Sequence, residues 1–330
     1  MRVLFLRRQR LGGIATYSNA LAAAMAEQGI RITIEDADTW IPNETGPKPD
    51  SKVTPRLLKL AKDYDVVHAF GYRCAWACGA AFKSYSAWFY TAYDMPKTTH
   101  ELLIDKLNEA QAGICSSRAV YRALDSAIAI DLVVEPPGVD LPQSAQGYEA
   151  RTGGRIVVAA LGRLVSERGL ESLIPAMEHV WTTFPDCVLR IGGTGPQAAE
   201  IAALARRSSR TTQIELVGAV TDLDSFYAQA DVVAVPSRRA GTSMVALEAM
   251  ARSRPVLLRS TGGLPELIEP DVSGMLFEDD DSLGETLSEM LSLPLTRQTL
   301  AGAGRVRVEE RFAMADHAES IAALYKGVME

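Results

Sequence analysis

Short apolar runs recur along the first half of the chain, at residues 3–6, 30–34, 66–70, 88–91, 113–116 and 132–134. They are apolar at nearly every position instead of alternating, which predicts strands covered on both faces of a parallel sheet. Helix-period stretches separate several of them. The clearest, residues 17–26, puts Leu21 and Met25 on one face. A second series begins at 156–162 and continues at 188–191, 214–217, 232–235, 256–258 and 275–277. Between the two series, residues 141–154 are rich in Pro, Gly, Gln and Ser and follow neither period, which predicts an interdomain linker. The pattern is that of an α/β protein with two Rossmann-like, doubly wound parallel-sheet domains, residues 1–145 and 150–311. The halves share an architecture and no readable sequence repeat.

Ligands of such sheets bind at the carboxyl ends of the strands, so the residues there matter most. The run 232–235 closes at Pro236-Ser237, turns through Arg238-Arg239-Ala240-Gly241-Thr242-Ser243 and enters a helical stretch at 244–252. The run 256–258 leads into Ser260-Thr261-Gly262-Gly263 and a second expected helix opening on Pro265. Each hand-off aims bare backbone N–H groups and a positive dipole end at one spot, which suits a phosphate. Thr242 or Ser243 is the expected N-cap, and Pro265 sits where helices accept proline. Ordinary α/β turns share this spacing, so alone it supports a structural turn equally well. After the first run comes Arg7-Arg8-Gln9-Arg10-Leu11-Gly12-Gly13, whose glycines permit a tight loop. Its arginines read either as a solvated loop or as the flank of a site for an anionic acceptor or acidic lipid surface.

Composition narrows the classes. The chain has 330 residues, 47% hydrophobic and 23% charged, as in an ordinary soluble protein of one large or two medium domains. A net charge of −7 argues against nonspecific nucleic-acid binding. The first 150 residues carry 16 basic and 17 acidic side chains, the remainder 18 and 24, so the N-terminal half better suits an anionic partner. No apolar run approaches the roughly 18 residues of a membrane span. Residues 3–6 are too short for a signal-peptide core and read as a strand. Cys74, Cys78, Cys115 and Cys187 are scattered, which predicts reduced, buried thiols in a cytoplasmic protein and no zinc site.

The segment 231–278 resembles the donor signature of the family 4 retaining glycosyltransferases, roughly P-S-x-x-E-G-F-G, then E-A-M-A-x-G-x-P-V, then G-G-x-P-E. Pro236-Ser237, Gly241, Glu248-Ala249-Met250-Ala251, Pro255-Val256 and Gly262-Gly263-Leu264-Pro265-Glu266 match. Ala240 replaces the family's first glutamate, and Thr242-Ser243 replaces Phe-Gly. Gly162-Arg163-Leu164, with Arg168-Gly169, is similar to the family's G-R-L-x-x-x-K-G, and Gly193-Thr194-Gly195-Pro196 to its G-x-G-P turn. In the N-terminal half, Gly12-Gly13 resembles the family's glycine loop and Asp65-Val66-Val67-His68 its D-V-V-H strand. Thr91-Ala92-Tyr93-Asp94 resembles T-x-H-D with Tyr93 in the histidine's place, and 132–140 resembles V-I-P-N-G-V-D. Glu310-Arg311-Phe312 and the helix after it look like the family's ending, so the resemblance spans nearly the whole chain.

The resemblance implies the GT-B fold, two domains facing each other across a cleft, with a last helix at about 312–330 returning to the first. It implies metal-independent, retaining transfer of a sugar from a nucleotide-diphosphate sugar, by front-face attack and with no cofactor. Arg163 and Arg168 would stabilise the leaving diphosphate, and Glu248 would accept from ribose hydroxyls. Gly12, Gly13, Ala240, Gly241, Thr242, Ser243 and Met244 would line the donor site. Tyr93 would stand near the reacting sugar, with Arg10, His68 and Asp94 on the acceptor side. The acceptor is left open as a small molecule, a glycan or a lipid-linked sugar, with weak peripheral membrane contact through the N-terminal domain. Ala240 removes an acceptor for sugar hydroxyls, which suits a deoxygenated donor sugar. It also keeps open a catalytically silent homologue that binds nucleotide or glycan as a partner protein. A nucleotide-sugar epimerase on the same fold is the third alternative.

Overall fold

A computed structural model describes residues 1–8, 12–41, 52–82, 87–96, 101–142, 147–151 and 155–328. The first series of elements is β1 (Arg2–Arg7), α1 (Gly13–Glu27), β2 (Arg31–Asp36), α2 (Val53–Ala61), β3 (Val66–Phe70), α3 (Tyr72–Ala81), β4 (Trp88–Ala92), α4 (Glu101–Leu107), β5 (Ala112–Cys115), α5 (Arg118–Asp125) and β6 (Asp131–Val134). The second is β7 (Val157–Leu161), α6 (Leu173–Thr183), β8 (Val188–Gly192), α7 (Ala198–Arg207), β9 (Ile214–Gly218), α8 (Leu223–Ala228), β10 (Val232–Val235), α9 (Met244–Ala251), β11 (Val256–Arg259), β12 (Met275–Phe277), α10 (Asp280–Ser292) and α11 (Pro294–Arg311). The helix α12 (Met314–Gly327) follows. The chain divides into two compact units, Met1–Gly138 with Ala313–Glu330, and Val139–Phe312.

Unit 1 is built on a six-stranded sheet in the order β2-β1-β3-β4-β5-β6. Its strands are parallel, with Phe5 facing both Ile34 and His68 in register. The inner strands β3 and β4 are buried at every residue, whereas the edge strands β2 and β6 are largely half-exposed. Continuous apolarity thus marks the middle of the sheet, where helices cover both faces. Arg7, at the end of β1, is no solvated loop charge. Its guanidinium is buried and donates to Asp36 at 2.7 Å, Ser18 Oγ at 2.7 Å and Asn19 Oδ1 at 2.8 Å, bracing α1 against the sheet.

The helix α12 docks into unit 1 through two histidines. His68 in β3 is fully enclosed, its Nδ1 2.5 Å from the Tyr325 hydroxyl and its Nε2 2.6 Å from Thr91 Oγ1. Burial, with the nearby His317, pushes its pKa down to about 3. His317 in α12 meets the Tyr17 hydroxyl at 2.6 Å through Nε2 and Glu135 at 2.9 Å through Nδ1. Gly138 lies so close under α12 that a Cβ there would come within 2.8 Å of the Met314 Cα.

Unit 2 repeats the plan with the order β12-β11-β10-β7-β8-β9. One face is covered by Leu173, Met177 and Trp181 of α6 and Leu283 and Leu287 of α10. The other is covered by Leu247 and Met250 of α9 and Val308 of α11. The chain moves outward from β7 through β8 to β9, then crosses to the opposite side for β10. The switch point, where an open α/β sheet forms a crevice, is therefore the carboxyl ends of β7 and β10. Part of the stretch read as a linker is built into this unit. Tyr148 is buried, donates to the Asp231 carbonyl at 3.0 Å and accepts from Arg297 Nε at 3.2 Å. Both partners are remote in sequence, so no local period announces the contact.

Tyr325→Phe leaves His68 Nδ1 unpartnered in a fully enclosed position. An expected loss of roughly 1–3 kcal/mol in unfolding free energy should be visible by urea denaturation, with the secondary structure unchanged by circular dichroism.

Candidate functional site at the switch point of unit 2

Two loops meet at the carboxyl ends of β7 and β10. The first runs from Gly162 through Arg163 to a 3₁₀ turn at Ser166–Arg168 and then Gly169, whose φ of 63° is the left-handed region. The second runs from Pro236 to Ser243. A Cβ on Gly169 would lie 2.4 Å from the Pro236 carbonyl oxygen, so only glycine permits this approach. The Arg238 N–H donates across the gap to the Glu167 carbonyl at 2.9 Å. From the other side, Leu164 N–H donates to Thr194 at 2.9 Å, and a Cβ on Gly193 would lie 1.8 Å from the Gly162 carbonyl. The Gly193–Pro196 turn therefore props the first loop.

At the tip of this arrangement the Arg163 side chain is exposed, and its guanidinium has no hydrogen bond or ion pair among the described residues. Arg168 is half-buried beside it in the same loop. In the second loop Gly241, Thr242 and Ser243 are buried and Met244 is half-exposed. Ser243 is the N-cap of α9, its hydroxyl accepting from Ala246 N–H at 3.2 Å. Thr242 is not the cap, and its buried hydroxyl has no partner among the described residues. Among the described residues the N–H groups of Gly241 and Thr242 donate to no protein group. Unpaired donors at a helix N-terminus, with an exposed guanidinium on the loop that meets it, suit an anion.

The two loops are held in place by a charge network. Arg238 pairs with Glu171 and, at 2.8 Å, with Asp280. Asp280 also pairs with Arg259, whose Nε donates to the Pro236 carbonyl at 3.2 Å. Burial pushes the Asp280 carboxyl up. Hydrogen bonds from Arg238 and Arg259 overcome this and hold it below its usual range. Asp280 opens α10 just after the cap Asp279, where the helix dipole favours a carboxylate. Sequence reading missed Asp280, Glu171 and Arg238, although the acidic run 279–281 before a helical stretch was a usable sign of a capped N-terminus.

Glu248 lies one turn into α9, almost fully buried, and accepts from the Tyr227 hydroxyl at 3.0 Å. Burial raises its pKa to about 7, against the lowering effects of Tyr227 and Arg252. Tyr227 was also missed; it is 21 residues away in sequence and carries no motif. Ala240 departs from expectation. Its side chain is fully enclosed in an apolar cluster with Val235, Leu258 and Leu264, and its carbonyl accepts from Gly263 N–H at 3.0 Å. The methyl group thus faces the core beneath the loop. The helix expected at Pro265 is a single 3₁₀ turn, Pro265–Leu267, because Ile268 is already extended and Pro270 follows. One turn carries no appreciable dipole, so only the first hand-off provides a helix terminus.

The remaining candidates lie in unit 1. Gly12 is the N-cap of α1 with φ 95°, and Gly13 begins the helix, so the glycine loop is a true close turn. Arg10 lies outside the described residues. His68 does not face an open site, because both ring nitrogens are occupied within the core. Tyr93 is buried against Tyr17 with ring centroids 5.4 Å apart, and its hydroxyl is shielded from solvent. Burial and the adjacent Tyr17 hold that phenol far above its usual range. Asp94 is half-buried just after β4, where its carbonyl accepts from Tyr72 at 3.0 Å. Among the described residues no group of three or more His, Cys, Asp or Glu side chains is placed to hold a metal ion.

Comparison with known proteins fits this geometry. Residues 155–293 match the profile of the family described as Glycosyl transferases group 1. A GDP-mannose-dependent monoacylated alpha-(1-6)-phosphatidylinositol monomannoside mannosyltransferase of Corynebacterium glutamicum is 34% identical over 168 residues, 48% of this chain and 43% of the relative. A D-inositol 3-phosphate glycosyltransferase of Segniliparus rotundus is 31% identical over 215 residues, 61% of this chain and 47% of the relative. The chain spans about half the length of the curated relatives it matches. HepE of Anabaena, solved with UDP-glucose, superposes with a TM-score of 0.82 at 20% identity, covering 99% of this chain and 100% of that one. A sucrose-phosphate synthase of Thermosynechococcus elongatus gives 0.79 at 21%, covering 99% of each. The fold is GT-B, and the resemblance read from the motifs holds.

Two outcomes are expected from these placements. A Glu248 pKa of about 7 against an unfolded value near 4.5 means that the folded state holds the proton more tightly. Stability then falls as pH rises from about 4.5 to 7, by roughly 3 kcal/mol at 1.36 kcal/mol per unit, and the full cost persists above pH 7. Glu248→Gln should therefore stabilise the ligand-free protein at pH 8 and hardly change it at pH 4, as measured by chemical denaturation at the two pH values. Ala240→Glu forces a carboxylate into an apolar cluster. It should cost roughly 2–4 kcal/mol by the same measurement, and wild-type stability would show that the loop opens to place the new side chain outside.

Proposed function

We propose, for a GT-B chain whose residues 155–293 match the glycosyl transferases group 1 profile, that it is a retaining glycosyltransferase using a nucleotide-diphosphate sugar. The observation that carries the reading is that the loop bearing Arg163, whose guanidinium is unpartnered among the described residues, meets the loop bearing the unpaired N–H groups of Gly241 and Thr242. Arg163 and Arg168 take the charge of the leaving diphosphate, so the step needs no metal ion. The α9 N-terminus, from Ser243 and Met244, adds its dipole. Glu248, once ionised, accepts from ribose hydroxyls, and Tyr227 fixes its orientation. In unit 1, Gly12, Gly13, Tyr93 and Asp94 serve the substrates at the carboxyl ends of the sheet. Tyr93 acts there indirectly, its shielded phenol staying protonated while its ring packs on Tyr17. Retention rests on the family resemblance and requires no enzyme nucleophile.

The matched relatives are named for a GDP-mannose donor with a phosphatidylinositol mannoside acceptor and for inositol 3-phosphate, and HepE was solved with UDP-glucose. These support a nucleotide-sugar donor and an acceptor that is a small molecule, a glycan or a lipid-linked sugar. A cytoplasmic location belongs to the same proposal. It is supported by four free, buried cysteines and by the absence, among the described residues, of a helix long and apolar enough to cross a membrane. One observation favours a second reading, a silent homologue that only binds nucleotide. Ala240 presents no side-chain acceptor to a sugar, and its methyl is built into the core.

Calorimetry in EDTA separates these readings. The protein should bind a nucleoside diphosphate far more tightly than the nucleoside. Arg163→Ala should lose about 10- to 100-fold for the diphosphate, at roughly 1.5–3 kcal/mol for hydrogen bonds to charge, and little for the nucleoside. No diphosphate binding by wild type would remove both readings. Binding without turnover of any UDP-, GDP- or dTDP-sugar would establish the silent homologue.

A further inference from the structure

Unit 2 has a polar pocket of about 420 Å³ at the amino ends of its strands, away from the donor loops. Tyr148, Glu149, Arg151, Asp231 and Arg254 line it, by the amino ends of β7, β10 and β11. Its frame is rigidly built. Arg297, with no exposed surface, donates to the Tyr148 hydroxyl at 3.2 Å, to the Met290 carbonyl at 3.2 Å and to the Arg151 carbonyl at 2.7 Å. Asp231 is consumed internally, accepting from Val157 N–H at 2.8 Å and pairing with Arg151 at 3.1 Å. Glu149 stands exposed at the rim.

Arg254 lacks a direct counter-ion among the described residues, and Asp231 attracts it only at longer range. Its guanidinium lies over the Tyr148 ring at 5.3 Å, half-buried, and forms no ion pair or hydrogen bond among the described residues. Its Nε is shielded from solvent without a partner. A guanidinium carries five donors in a fixed fork, and leaving a shielded one unmade is costly. Arg151 beside it adds like charge. An oxyanion seated between the two would accept from the solvent-facing Nη groups of Arg254 and from Arg151, and relieve their repulsion.

We propose that this pocket binds a small oxyanion, phosphate or carboxylate, through Arg254 and Arg151, at a site separate from the donor loops. Bound there, the anion ties the 147–151 segment to the amino ends of the strands.

The test is calorimetry on the full chain with inorganic phosphate and, separately, acetate, in wild type and three variants. Wild type should bind at least one of them, and the one bound identifies the anion class. Arg163→Ala, which disables the donor loops, should keep this binding. Arg254→Gln should weaken it about tenfold or more. Gly147→Asp should weaken it comparably while folding normally, since a Cβ at Gly147 meets no atom of the described residues within 4 Å. It serves if Arg254→Gln fails to fold. The proposal is overturned if wild type binds neither anion at about 10 mM, a Kd worth under 3 kcal/mol. Binding lost in Arg163→Ala but kept in Gly147→Asp overturns it as well.

Discussion

The close approach of Gly169 to the Pro236 carbonyl is the constraint on which the site depends. It brings the loop after β7 against the loop after β10, at the one place where the sheet order reverses. Any Cβ at Gly169 would push the loops apart, and the hydrogen bond from Arg238 to Glu167 would break with them. The Gly193 turn closes the same junction from the other side. Three backbone contacts thus fix where Arg163 emerges, and the Arg238–Asp280–Arg259 network resists their opening. Preorganisation of this kind is what a charge receptor needs, since donors already in place pay little reorganisation on binding.

The sheet strands were nearly all legible because they are short, apolar and buried on both faces, so each appears as an unbroken run. Edge strands deviate, and β2 and β9 show partial exposure that the runs do not announce. Backbone devices were legible too, since Gly12 in unit 1 and Gly169 and the Ser243 cap in unit 2 depend on residue type at fixed local spacing. Contacts across sequence were not. His68 reads as a strand-end histidine, and only the fold shows that Tyr325, 257 residues away, occupies its ring. Ala240 aligned with a functional glutamate, yet its methyl faces the core. A motif position records where the backbone lies, and the direction of its side chain follows from what the neighbouring core requires.

The helix α12 carries a consequence for synthesis. Unit 2 is a continuous stretch of chain, whereas unit 1 is completed by residues that follow it. As the chain emerges from N- to C-terminus, unit 2 has all its strands in hand while His68, Tyr17 and Glu135 still lack Tyr325 and His317. The first unit to be made is therefore the last to close. Until then the apolar bed that receives Ile321 and Tyr325 stays open to solvent, to chaperones and to the equivalent bed of a neighbouring nascent chain.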